Sequence, residues 1–133
     1  TASRLWYGLG GSEMGIRASA NSLSVVDDCG LTYLHVFPFS PRSGTPAARM
    51  PQLARNVVKE RAARLRAKGS QALSSYLAAQ TGTEVEALVE RDGVGRTPHF
   101  LEIDLPAAVA AGAMVRARVS GNDGRRLSGE VLA

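Results

Sequence analysis

Residues 83–90 read TEVEALVE, and residues 114–120 read MVRARVS. In the first stretch Val85, Ala87 and Val89 fall on one face and Glu84, Glu86 and Glu90 on the other. Successive side chains of a strand point to opposite faces, so this alternation predicts a half-buried strand. In the second stretch Val115, Ala117 and Val119 face inward, which places Arg116 and Arg118 together on the outside. Between the two, ERDGVG predicts a turn, and RTPHFLEIDL puts Leu101, Ile103 and Leu105 inward. SGNDG turns again, and RRLSGEVLA returns with Leu127 and Val131 inward, so that Arg126 can join the two arginines across the hairpin. Short alternating strands with glycine-rich turns predict a small antiparallel barrel or sandwich over residues 82–133.

Upstream the period changes to that of a helix. Ile16, Ala20, Leu23, Val26 and Cys29 recur at three- and four-residue intervals, and Gly30 follows as a left-handed stop. Leu31 to Phe39, LTYLHVFPF, reads as a buried strand with Pro38 at its end or on an edge. A proline-rich loop runs to residue 50. A second helix is then expected from Pro51 to about residue 80, with Val58, Ala62, Leu65, Ala72, Leu73, Tyr76 and Leu77 on one stripe. Gly69 lies inside it, where a bend is possible. Residues 1–16 show no period and read as irregular. The expected fold class is α/β followed by all-β, in three pieces: 1–50, a basic linking helix at 51–81, and the β domain at 82–133.

At 133 residues, 44% of them apolar and 21% charged, the chain has the composition of a globular domain. It shows no leader-like segment and no run long enough to cross a membrane, so a cytoplasmic protein is the expectation. The net charge of +4 is unevenly spread. Residues 31–70 carry eight basic groups against Glu60 alone, whereas residues 71–133 carry six basic and eight acidic groups. Such a basic block attracts an acidic partner, nucleic acid above all, unless it is simply a solvated helix face.

The residues offer no catalytic constellation. His35 and His99 lie in different predicted domains, and His35 in an apolar strand reads as a hydrogen-bonded core residue. Cys29 is the sole cysteine and reads as a small buried apolar group. Asp27 and Asp28 are adjacent, point apart on a helix, and make a poor acid–base pair. Metal-ligand spacing is absent. The β domain makes a modest case for RNA: Arg116, Arg118 and Arg126 form a basic face, with Arg96, His99 and Phe100 nearby to pair with phosphate or stack on a base.

The segment GLTYLHVFPFSPRSGTPAARMP at residues 30–51, followed by VVKERAARLRA, resembles the end of the catalytic domain of radical S-adenosylmethionine tRNA methylthiotransferases. The wording HVFPFSPRSGTPA is most similar to the branch that acts on threonylcarbamoyladenosine next to the anticodon. The resemblance covers about residues 20–133 and is strongest through residue 66. It implies that Leu31 to Phe39 is the last strand of an incomplete α/β barrel, with Phe37 and Phe39 filling the barrel end. It implies further that residues 82–133 are a TRAM-like, OB-like β-barrel that binds RNA. Ser40, Arg42 and Thr45 would then sit at the active-site mouth, facing cofactor or tRNA, or else tie the loop down through its backbone. Lys59 and Arg66 on the linking helix would add tRNA contacts.

The resemblance also implies 4Fe–4S clusters and S-adenosylmethionine in the full-length enzymes, and tRNA as partner. This chain lacks the CxxxCxxC motif, so it is expected to bind no cluster and to be inactive by itself, needing an N-terminal portion of the enzyme. Where the family carries a GFPGET-like stretch, residues 4–19 read RLWYGLGGSEMGIRAS, as a truncated or frame-shifted coding sequence would produce. The alternatives are a stand-alone RNA-binding module without catalysis and an inactive remnant.

Overall fold

The computed structural model describes residues 11–106 and 108–132. Among the described residues two α-helices are followed by five strands. The chain divides into two compact units, one ending at Ala72 and the other running Leu73–Ala133.

In the first unit, helix α1 spans Gly11–Asp28. It begins at least five residues before Ile16, which corrects the irregular reading for residues 11–16; residues 1–10 lie outside the described residues. Glycine at positions 11 and 15 costs about 1 kcal/mol each against alanine, but propensity is a weak prior. The C-terminus is as expected. Gly30 has φ 60, Leu31 N–H donates to Val26 O at 2.9 Å, and Gly30 N–H donates to Asp27 O at 3.1 Å. This is the paired closure of a Schellman cap, in which only glycine adopts the left-handed turn without strain. Of the predicted stripe, Val26 is buried and Leu23 half-buried, while Ile16 and Ala20 are exposed. Cys29 is exposed rather than buried, because it sits in the capping turn past the last helical residue.

Residues 31–40 belong to no strand. Burial nevertheless alternates: Thr32, Leu34 and Val36 are half-buried, and Leu31, Tyr33, His35 and Phe37 are exposed. The segment has the side-chain pattern of a strand, but among the described residues no neighbouring strand pairs with it. A ladder needs two chains of backbone donors and acceptors, so pattern alone does not make one. His35 is therefore not a core residue, and Phe37, 82% exposed, fills no barrel end within this chain.

The loop beyond is tied by its own backbone. Thr45 Oγ1 donates to Arg42 O at 2.8 Å and accepts from Ala48 N–H at 3.3 Å, leading into a 3-10 turn at Ala47–Arg49. Helix α2 spans Arg55–Ala79, four residues later than the Pro51 start. Its stripe includes a position that the apolar pattern omits, Gly69. A Cβ there would stand 2.8 Å from Leu34 Cδ1, so the glycine makes room for Leu34, and the helix is unbroken through it.

In the second unit β1 (Glu84–Arg91), β2 (Val94–Arg96), β3 (Glu102–Asp104), β4 (Met114–Asn122) and β5 (Leu127–Val131) close a barrel in the order β1-β2-β3-β5-β4. The expectation of a purely antiparallel barrel needs one correction. β3 pairs with β5 in parallel, Ile103 opposite Leu127, because the chain must cross over β4 to close the ring. The inward sets are otherwise as the alternation predicts: Ala87, Val89, Leu101, Ile103, Leu105, Ala117, Val119 and Leu127 are buried, and Val85, Val115 and Val131 pack against them. The last turns of α2 plug this core, with Leu77 fully buried and Leu73 and Tyr76 beside it. Gly129 lets β5 approach Ile103: a Cβ there would lie 2.6 Å from Ile103 Cδ1.

Candidate nucleic-acid interface

The register of β1 against β4 sets Glu84 opposite Arg118 and Glu86 opposite Arg116 on the outer face. Glu84 forks between the two arginines, its Oε2 2.7 Å from Arg116 Nη2 and its Oε1 2.9 Å from Arg118 Nη2. The hydrogen bond from Arg118, reinforced by the charge of Arg116, holds the Glu84 carboxyl below the ordinary glutamate range despite some opposing desolvation. Arg116 and Arg118 remain mostly exposed, 68% and 58%, so a phosphate can reach them from solvent.

Arg126 does not join them. β4 and β5 place Glu130 opposite Arg118, and Arg126 lies beyond the Asn122–Leu127 pair at the other end of the hairpin. There its guanidinium meets Glu102 at 2.6 Å and Asp104 at 3.6 Å on β3. The turn before it is held by Asp123 Oδ1, which accepts the backbone N–H of Arg126 at 2.7 Å and of Arg125 at 2.8 Å. Those two bonds hold the Asp123 carboxyl below its usual range.

Arg96 is engaged on every side. Nε and Nη2 donate to the two oxygens of Glu90 at 2.7 and 3.0 Å, Nη2 reaches Glu102 at 3.2 Å, and Nη1 donates to the carbonyl of Phe100 at 3.2 Å. Bidentate forks of this kind fix direction as well as charge. The Glu90 partner raises the guanidinium's own proton affinity, and the same contact lowers the Glu90 carboxyl.

The loop that Arg96 braces is a tight turn. Thr97 is buried; its N–H donates to Leu101 O at 2.9 Å and its hydroxyl accepts from Leu101 N–H at 3.2 Å. Phe100 N–H donates to Thr97 O at 2.9 Å. This closure forces Phe100 to φ 63, the one non-glycine residue with positive φ among the described residues. A left-handed conformation costs a bulky L-residue about 1–2 kcal/mol. The ring is nonetheless 74% exposed and so regains nothing by burial. His99, next to it, lines an open groove of about 210 Å³ with Gln80, Glu84, Val85, Glu86, Thr97, Pro98 and Leu101.

On the first unit Ser40, Arg42, Lys59 and Arg66 are exposed, and Thr45 is half-buried with its hydroxyl spent on the loop backbone. The structure thus brings Arg116 and Arg118 together, sets Arg96, His99 and Phe100 side by side, and leaves Arg126 apart from the pair. Sequence reasoning missed Glu84 as the acid that bridges the arginines, although the alternation of TEVE already placed it outside. Among the described residues no group of three His, Cys, Asp or Glu side chains could hold a metal ion. A lone exposed thiol at Cys29 does not fit an iron–sulfur cluster, which takes several thiolates.

The arrangement is thus a small closed barrel whose outer face offers guanidinium groups and an exposed aromatic residue. No family model matches the chain. Over 76% of its length it is 40% identical to the threonylcarbamoyladenosine tRNA methylthiotransferase MtaB of Rickettsia prowazekii, covering 24% of that protein. Over 84% of its length it is 31% identical to the tRNA-2-methylthio-N(6)-dimethylallyladenosine synthase of Erythrobacter litoralis, covering 27% of it. The synthase of the same name from Zymomonas mobilis is 28% identical, with 84% of the chain and 26% of the relative covered. Over most of its length the chain is thus similar to tRNA methylthiotransferases, and it spans about a quarter of the length of these relatives.

Proposed function

We propose that this chain is the tRNA-contacting, C-terminal portion of a radical S-adenosylmethionine methylthiotransferase acting on threonylcarbamoyladenosine next to the anticodon. The observation that carries the reading is the higher identity to the relative named for that nucleoside, 40% against 31% and 28% for those named for dimethylallyladenosine. The barrel is then a TRAM-like RNA-binding domain at residues 82–133, and Arg116 and Arg118 contact tRNA phosphates. Lys59 and Arg66 on the linking helix at 51–81 add to the attraction. Ser40 and Arg42 lie at the active-site mouth of residues 1–50, while Thr45 shapes the loop. The exposed row Leu31, Tyr33, His35 and Phe37 is where the catalytic portion of the enzyme pairs with this chain. The clusters, and the S-adenosylmethionine they act on, belong to that other portion, since the lone exposed thiol of Cys29 does not fit a cluster. In this reading the protein works in the cytoplasm, where tRNA is modified.

A second reading, a stand-alone RNA-binding module, is favoured by the barrel's closing on itself with its own core. Binding measurements separate the two. The chain should bind tRNA with an affinity that falls steeply with salt, because released counterions drive phosphate binding. Replacing Arg116 and Arg118 together by alanine should weaken binding and reduce the salt slope by up to about two. Preference for tRNA carrying threonylcarbamoyladenosine over tRNA carrying dimethylallyladenosine supports the first reading; equal binding supports the second. Binding indifferent to salt and to both arginines would refute RNA contact by this face.

A further inference from the structure

We infer that Phe100 is a stacking platform for one unpaired nucleobase of the RNA, and that Arg96 is a positioning residue for it rather than a phosphate contact. The inference rests on the RNA-binding reading above and deepens it. Three observations carry it. The turn from Thr97 to Leu101 holds a phenylalanine at φ 63, where glycine would sit without strain. The ring is exposed, so neither core packing nor backbone preference accounts for its being there. Arg96, which sequence reasoning places among the RNA contacts, directs one N–H to the Phe100 carbonyl and spends the rest of its fork on Glu90 and Glu102. A strained display braced by a bidentate ion pair fits a contact surface that must be rigid before its ligand arrives.

The groove beside the ring points to a base rather than a phosphate. Its lining residues include Glu86, Gln80 and His99, together with Glu84, whose carboxylate is held by Arg116 and Arg118. Carboxylates repel a phosphate but accept hydrogen bonds from the amino group of adenine or cytosine. A base lying on Phe100 with its amino edge turned toward this groove satisfies both surfaces.

The test uses the full chain and a fluorescein-labelled single-stranded oligoadenylate of about twelve nucleotides, with a second oligomer carrying 2-aminopurine, whose emission drops on stacking. Phe100→Gly and Phe100→Ala should each weaken binding about 5- to 150-fold, the range for losing one base–aromatic stack. The salt slope should stay unchanged because the ring is neutral. Phe100→Trp should bind as the parent does. Phe100→Gly should melt no lower than the parent, since glycine tolerates the turn, and this separates lost binding from lost folding. Arg96→Gln should reduce 2-aminopurine quenching at saturating protein while leaving the salt slope intact, whereas loss of a phosphate contact would lower that slope by about one. Parent-like binding and quenching by Phe100→Gly would overturn the platform and leave RNA binding standing. Failure of the parent chain to bind oligoadenylate or tRNA at low salt would overturn the proposed function, and the platform with it.

Discussion

Glu84 shows how a single carboxylate can set the character of a surface. It bridges the two arginines that best suit a phosphate, offsetting one of their two charges from the neighbouring strand. A phosphate arriving at Arg116 and Arg118 competes with it for their Nη2 donors. Glu84→Gln should therefore raise tRNA affinity several-fold at low salt, measured by titration against labelled tRNA; an unchanged or lower affinity would argue that the arginines bind no phosphate. The same carboxylate makes stability depend on pH. Glu84, Glu90 and Asp123 all have folded-state values depressed below their ordinary 4.5, 4.5 and 3.8. Groups depressed in this way stabilise the fold fully above those ordinary values, and the contribution disappears as pH falls through the lower folded ones. The melting temperature should thus hold from neutrality to about pH 5 and fall below about pH 4. Glu84→Gln should flatten that fall when followed by circular dichroism.

At the scale of the element, β5 and the segment Leu31 to Phe39 make opposite points. β5 is short and carries a glycine at its centre, weak credentials for a strand, yet it is held between β3 and β4. Gly129 is what allows this, because any side chain there meets Ile103 in the core and the Arg118 carbonyl at 3.2 Å. Gly129→Ala should destabilise the barrel by about 1–3 kcal/mol, the usual cost of overpacking, as read by chemical denaturation. A neutral effect would mean that Ile103 can swing aside. Leu31 to Phe39 has better strand credentials, rich in aromatic and apolar residues with alternating burial, and forms no strand. What it lacks, among the described residues, is a pairing strand.

For the whole molecule, the second unit has a closed core of nine buried residues, Leu77 among them, whereas among the described residues the first has only Val26 and Ala62 buried of its apolar side chains. Opening should follow that contrast, since local stability tracks buried apolar contact. Limited trypsin digestion should cut first at Arg42 or Arg49, both exposed and outside the long helices, and leave a resistant fragment that contains residues 73–133. Equal survival of the stretch between α1 and α2 would contradict this unevenness.

The alternation of residues 84–131 by itself determined the barrel's strands and their inward faces, because period-two burial is a local property of each strand. The Schellman cap at Gly30 and the stripe of α2 were legible for the same reason: each depends on neighbours within one turn of helix. The wording of residues 30–51 also pointed to the family. Only the tertiary structure decided the rest. Strand order made β3–β5 parallel, set Glu84 against Arg116 and Arg118, and carried Arg126 away to Glu102 and Asp104. Gly69 reads as a weak point in the helix until Leu34 is seen to fill its place. Phe100 reads as an ordinary loop aromatic until the turn from Thr97 fixes its backbone. In each case the deciding partner lies on another element or is set by loop closure, and a period along one chain carries no information about which side chain stands opposite.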